Sequence, residues 1–146
     1  MQLRLSGIRK ADQMWIYSQI DGKLYNSEGS LISVGYAGNG AGKNNPSMQN
    51  IRNVGPLPVG LYRMGSAINH PKLGPLSIPL IPDAGNCMYG RLDFLAHGDS
   101  LEHPGEASQG CIILNRVARG LLSKTADRWL MVVHRWDDLN STEKSK

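Results

Sequence analysis

Apolar and polar residues alternate along this chain in short runs separated by turn formers. Met14-Trp15-Ile16-Tyr17 with Gln19-Ile20 predicts a strand. Asp21-Gly22-Lys23 is a hairpin signal, and Lys23-Leu24-Tyr25-Asn26 predicts the return strand. Residues 30–36 predict a third strand, so the chain opens as an antiparallel meander. The alternation then stops from Gly35 to Pro58, in a stretch rich in Gly, Asn and Pro. Only one helical turn is predicted there, over residues 47–53 with Ser47 as its cap. A loop of that length in a compact domain usually carries function. Strand pattern returns at residues 58–64 and again at 74–80, where prolines predict an edge strand. Residues 92–97 alternate and end at Gly98, residues 100–109 form a polar loop, and 112–114 predict a short buried strand. Asn115 is placed to cap a helix over 116–126, with Val117, Leu121 and Leu122 on its apolar face. Residues 129–134 predict the last strand, and 140–146 a polar tail.

The fold class that follows is mainly β with one or two short helices. The 146 residues fit a single domain with its core over about 14–136 and no internal repeat. Seventeen glycines and eight prolines agree with many turns and with loops that carry function.

Charge and cysteine content narrow the function. The net charge of +4 comes from scattered Lys and Arg, and aromatics are only 6%. A nucleic-acid groove would interleave basic and stacking residues, so nucleic acid is not the expected partner. A mild positive charge suits an acidic polymer such as a bacterial envelope, and equally suits solubility. Cys87 and Cys111 make no CxxC pair, which removes zinc-ribbon and dithiol redox motifs and leaves a disulfide open. Cys87 follows the turn-like Asp83-Ala84-Gly85-Asn86 and reads as a surface or half-buried thiol. The start of the chain lacks the apolar stretch of a signal peptide, and no run approaches the ~18 residues of a membrane span. The expectation is a chain made in the cytoplasm, with a signal-independent route to any target outside it.

The candidate chemistry lies in one segment. His97-Gly98-Asp99-Ser100 stands ahead of Ala107-Ser108-Gln109-Gly110-Cys111-Ile112-Ile113-Leu114, with the histidine fourteen positions before the cysteine. A thiol is activated by a neighbouring base, and imidazole suits that task at neutral pH. Within hydrogen-bond reach, His97 would lower the Cys111 pKa and shuttle the proton. The Gly98 carbonyl or the Asp99 side chain would orient the imidazole as a third member. The amides of Gly110 and Cys111 would face a developing oxyanion. Gly98 would give steric room beside His97, and Ser108 would brace the turn through bonds to the backbone. Burial of Cys111 beside an apolar run is the structural alternative. Two further readings stay open. One is a zinc hydrolase using His97, Asp99, His103 and Cys111, although no HExxH spacing exists. The other is a non-catalytic wall-binding or virion-structural domain.

These residues resemble the L,D-transpeptidase catalytic domain of the YkuD type, with its His-Gly, loop and Ser/Thr-x-Gly-Cys. More specifically, the chain resembles the Tlde1-type effectors of bacterial type VI secretion. Met14-Trp15-Ile16-Tyr17, Gly35-Tyr36-Ala37-Gly38, Asn44-Asn45-Pro46-Ser47-Met48-Gln49 and Gly55-Pro56-Leu57-Pro58-Val59-Gly60-Leu61-Tyr62 carry that likeness with the two segments above. The resemblance implies a β-sandwich or barrel around a Cys/His site and a peptidoglycan stem tetrapeptide as substrate. It implies Cys111 as nucleophile, His97 as base, Ser108 and Gly110 in the Ser-x-Gly-Cys motif, and no cofactor. The acyl-enzyme would pass to water, to a free D-amino acid or to another stem. A cognate immunity protein and the secretion apparatus are the implied partners, and the periplasm of a target bacterium the implied place of action. Gln109 stands where the wider group has His, and Ile113 where it has Arg. Arg91 or Arg63 is the substitute expected for the substrate carboxylate. Tyr36, Asn39 and Lys43 are expected to line the cleft from the long loop, beside Gln109.

Overall fold

Asp21 and Gly22 form the predicted hairpin. The Asp21 carboxylate accepts from the Lys23 N–H at 3.2 Å, and Gly22 takes a left-handed φ of +71°. Around this turn the computed structural model, which describes residues 13–136, builds a mainly β fold with one α-helix. The strands are β1 (Trp15–Ser18), β2 (Lys23–Tyr25), β3 (Leu31–Val34), β4 (Tyr36–Ala37) and β5 (Gly60–Met64). They continue with β6 (Ile68–His70), β7 (Gly74–Pro82), β8 (Phe94–His97), β9 (Ile112–Ile113) and β10 (Trp129–Val133). The helix α1 (Arg116–Lys124) lies between β9 and β10. The predicted tail 140–146 and most of the chain start read for a signal peptide lie outside the described residues.

The sheet runs β3-β2-β1-β10-β5-β7-β8-β9-β4, with β6 paired on β7. Its two ends, β3 and β4, are consecutive in the chain and separated only by Gly35. The sheet therefore curls into a nearly closed barrel. The third strand expected over 30–36 is in fact two strands meeting at that glycine. The Gly35 N–H donates to the Gly22 carbonyl at 2.7 Å, and a Cβ on Gly35 would stand 1.9 Å from the Ile113 carbonyl oxygen. No other residue fits that seam.

Alternation places Trp15 and Tyr17 of β1 and Leu130 and Val132 of β10 in the core. The β1–β10 pair is parallel, Trp15 opposite Leu130, so the first and last strands support each other. On β8, Phe94 and Ala96 enter the core and leave Leu95 and His97 on the other face.

Three expectations are corrected. β7 is not an edge strand but lies between β5 and β8. Its prolines are tolerated where ladder bonds are not needed: Pro79 accepts from Gly65, in the gap between the end of β5 and the start of β6. The long loop holds two 3₁₀ turns rather than one, Gly40–Gly42 and Pro46–Met48, and the second is capped by Asn45 rather than Ser47, with the Asn45 side chain accepting from the Ser47 N–H at 3.1 Å. On α1, Asn115 caps as expected, accepting from Ala118 N–H at 2.8 Å. The buried face, however, is Ala118, Arg119 and Leu122, while Val117 and Leu121 are exposed. Arg119 belongs inside because its guanidinium donates to the carbonyls of Leu114, Pro75 and Leu76.

Candidate active site

The parallel pairing of β8 and β9 sets Ala96 opposite Ile112 and His97 opposite Ile113. Cys111, one residue before β9, falls beside Leu95, whose N–H donates to the Cys111 sulfur at 3.3 Å. The Asp93 carbonyl lies 4.0 Å from the same sulfur. Cys111 and His97 both line a cleft of about 540 Å³. A carbonyl only accepts, so the 2.9 Å contact between His97 Nδ1 and the Gly98 oxygen places the proton on Nδ1. Nε2 then carries the lone pair.

Burial sets the charge state of both groups. It lowers the His97 pKa below its usual value, and the positive charges of Arg119 and His70 act in the same direction against the Gly98 acceptor. It raises the Cys111 thiol, although the Leu95 N–H and the Arg91 charge oppose that rise. Both shifts favour the uncharged forms, the opposite direction from the low thiol pKa expected for Cys111.

The turn carrying Cys111 is held by Ser108, which is fully buried. Its hydroxyl donates to the Cys111 carbonyl at 2.6 Å and accepts from the N–H groups of Gly38 at 2.8 Å and Gly110 at 3.0 Å. One donor and two acceptor positions are all in use. The Gly110 N–H is therefore committed to Ser108 and does not face an oxyanion, which corrects that expectation. Gly110 is required for another reason. At φ +137° a Cβ would lie 2.6 Å from Arg91 Nη2 and 2.7 Å from Phe94 Cε1. Gly98 makes room for Arg119, whose Nη2 would stand 2.9 Å from its Cβ.

Asp99 is not the group on the imidazole. Its carboxylate accepts from the Tyr36 hydroxyl at 2.6 Å, Ser100 N–H at 2.8 Å and Gly105 N–H at 3.1 Å. Burial acts to raise its pKa, but these donors and the Lys43 charge hold it below the usual carboxylate value. Burial, and then the bond to Asp99, push the Tyr36 phenol up to about 12. The same phenol oxygen accepts from Ala107 N–H at 2.9 Å, and Lys43 Nζ stands 4.5 Å from the Tyr36 ring centroid. Tyr36, Lys43 and Asp99 together anchor the loop between β8 and β9, and the cleft surface is formed by other residues.

Asn39 ties the long loop to the cysteine turn, donating to the carbonyls of Asn53 at 2.6 Å and Ser108 at 3.1 Å. Arg91 is buried, and its guanidinium donates to the carbonyls of Gln49, Pro56, Gly55 and Gln109. The expectation that Arg91 receives a substrate carboxylate is corrected by this saturation. Arg63 stacks on Trp129 at 5.7 Å and does not line the cleft. Gln109 is exposed on the cleft wall.

The cleft also takes in His70, Lys72, Asn53, Asp93 and Glu106, none of which the sequence pattern singled out. His70 Nδ1 accepts from the N–H groups of Lys72 at 3.1 Å and Leu73 at 3.0 Å, which closes the β6–β7 turn. No periodicity marks a turn residue that reaches a distant cleft. Among the described residues no group of three or more His, Cys, Asp or Glu side chains is placed to hold a metal ion. Residues His97, Asp99, His103 and Cys111 form no such cluster. Both cysteines are free thiols, Cys87 exposed and Cys111 half-buried.

A family model of the Tlde1 domain matches residues 32–135. The chain belongs to the Tlde1 family. This is a toxin effector family of the type VI class. The Tlde1 match starts within β3, ends just past β10, and includes both Cys111 and His97. Neither a curated protein nor a solved structure matches the chain. Among the described residues of this Tlde1 domain, no helix is long and apolar enough to cross a membrane.

Proposed function

We propose that this Tlde1 domain is a cysteine acyl-transfer enzyme acting on peptidoglycan stem tetrapeptides, as an L,D-carboxypeptidase, an L,D-transpeptidase exchanging D-amino acids, or both. The observation that supports it is the anchored imidazole. With Nδ1–H on the Gly98 carbonyl, the lone pair of neutral His97 lies on Nε2, and His97 lines the same cleft as Cys111.

The neutral pair defines the chemistry. As the Cys111 sulfur attacks the carbonyl of the third stem residue, Nε2 takes the thiol proton. The Cys111 N–H is the backbone donor nominated for the oxyanion, since that of Gly110 is committed to Ser108. The imidazolium returns its proton to the departing amine of the terminal D-alanine, leaving a thioester. Water then gives a tripeptide, or a free D-amino acid gives an exchanged tetrapeptide. A neutral resting pair also keeps a half-buried site free of an uncompensated charge. Action in the target periplasm, delivery by the secretion apparatus and neutralisation by an immunity protein belong to the same reading.

Purified tetrapeptide muropeptides, incubated with and without excess D-amino acid under reducing, metal-free conditions and read by mass, test it. Loss of the terminal D-alanine, or a mass matching the added amino acid, is expected from the wild type and not from Cys111→Ala. Neither product from the wild type would overturn the substrate assignment.

A further inference from the structure

A second recess adjoins the cleft. It measures about 220 Å³ and shares Asn53, Leu92, Asp93, Phe94 and Gln109 with it. It adds Arg52 and Arg91 and contains neither Cys111 nor His97. The site therefore has two arms, and Asp93, whose carbonyl touches the Cys111 sulfur, stands on their common wall.

The small arm holds unmatched charge of both signs. Arg52 and Arg91 line this recess together, and the Arg52 charge acts with burial to lower the Arg91 pKa. Arg91 is satisfied by carbonyls, whereas Arg52 is exposed. Among the described residues the ion pair found within 4.0 Å is Lys23–Asp21, so neither Arg52 nor Asp93 has a salt-bridge partner. Asp93 is also exposed. Two of the shared-wall residues, Asn53 and Asp93, each hold a left-handed φ of 65°. Such backbone costs free energy, and it concentrates where a site requires a particular orientation.

We infer that this arm is a subsite for a free α-amino acid, with Arg52 receiving the carboxylate and Asp93 the ammonium. A zwitterion of that size matches both charges and fits the volume, while an internal residue of a peptide main chain has its α-amino and α-carboxyl groups tied up in amides. The inference rests on the acyl-transfer reading and names the acceptor of the exchange branch. The ammonium loses one proton to His97 Nε2 and onward to water. The amine nitrogen then bonds to the thioester carbonyl carbon, the C–S bond breaks, and the second amine proton goes to the Cys111 sulfur. The products are a new amide and the free thiol. Asp93 and Arg52 position the acceptor, and Cys111 and His97 carry the reaction.

Binding to the Cys111→Ala protein tests this without turnover. D-alanine, N-acetyl-D-alanine and D-alaninamide are titrated and followed by NMR or calorimetry. D-alanine binds, and the two blocked forms bind at least about tenfold more weakly, because each lacks one charge-assisted contact. Arg52→Gln and Asp93→Asn, each in that background, weaken D-alanine by a similar factor. Asparagine keeps the left-handed backbone available at position 93, and Arg52 is an exposed side chain, so at least one variant reports on charge alone. In the active enzyme the same substitutions lower the ratio of exchanged to hydrolysed product. Equal binding of all three compounds, or unchanged D-alanine binding in both variants, would overturn the subsite. So would absence of D-alanine binding to a protein whose wild type turns over muropeptides. D-alanine binding without any muropeptide turnover would leave the subsite standing and sink the acyl-transfer reading instead.

Discussion

The wall built from β1, β2, β10 and β5 and the wall built from β8, β9 and β4 share one apolar core, but the second adds polar cages that the first does not need. In the first, alternate side chains such as Tyr17, Leu24, Tyr62 and Leu130 are fully or almost fully buried against one another. In the second, β9 and β4 have two residues each, and polar cages fix the chain around them. Arg91 gathers four carbonyls, Ser108 uses all three of its hydrogen-bonding positions, and Asp99 gathers the loop through Tyr36. Apolar burial is non-directional and gives energy. Hydrogen bonds are directional and place atoms. The difference teaches that the barrel is stabilised on one side and aimed on the other.

The sharpest way to break that contrast is Arg91→Ala. It leaves the carbonyls of Gln49, Gly55, Pro56 and Gln109 without their donor and opens space beside Gly110. A stability loss of about 3–5 kcal/mol is expected in chemical denaturation. Turnover per folded molecule is expected to fall as well. Arg91→Lys does not rescue it, because a point charge cannot reproduce the planar fork. Leu24→Ala should cost about 3 kcal/mol, a Tm drop of roughly 10 °C, through a cavity in the other wall. Its turnover per folded molecule stays at the wild-type level; a comparable loss of turnover would erase the distinction between the two walls.

Tyr36→Phe is milder. It removes the donor to Asp99 and the acceptor for Ala107 N–H, at about 1 kcal/mol in stability. The Asp99 pKa, measured by NMR, moves up as that donor is lost. The smallest effect concerns pH. Only neutral His97 accepts the thiol proton, and burial holds its pKa below 6.5. The acid limb of kcat/KM therefore lies below pH 6.5, with activity present above it and lost as pH falls through the folded pKa. A limb at or above pH 6.5 would contradict the buried neutral imidazole.

The first wall was the more legible in the sequence, because alternation is the signature of apolar burial. The Asp21-Gly22 hairpin and the strand at Trp15 follow from it directly, and Asn115 announces the helix cap. Cys111 and His97 stood out because a thiol and an imidazole with flanking glycines make a chemical pattern. Their surroundings did not stand out. Arg91 and Arg119 look like surface residues until carbonyls from distant segments surround them, and with Arg119 inside, α1 keeps Leu122 buried while Val117 and Leu121 face solvent. Gly35 reads as one more loop glycine, although it joins the two ends of the sheet. His70 at the end of β6, Lys72 in the turn that follows and Asp93 just before β8 reach the cleft from the ends of elements, where alternation does not say what a side chain will meet. Gly110 belongs to the sequence motif, but what requires it is the closeness of Arg91 and Phe94, which no local pattern announces.

The closure at Gly35 has a consequence for recognition. It leaves β9 paired on both sides, by β8 and β4, and β8 paired on both sides, by β7 and β9. β8, which bears the imidazole, and β9, which the thiol immediately precedes, thus offer no vacant rung to which an extended peptide could zip. Whatever enters must be gripped by its pendant groups and charges instead. That mode tolerates mixed stereochemistry and side-chain amide links, which a β-ladder would reject.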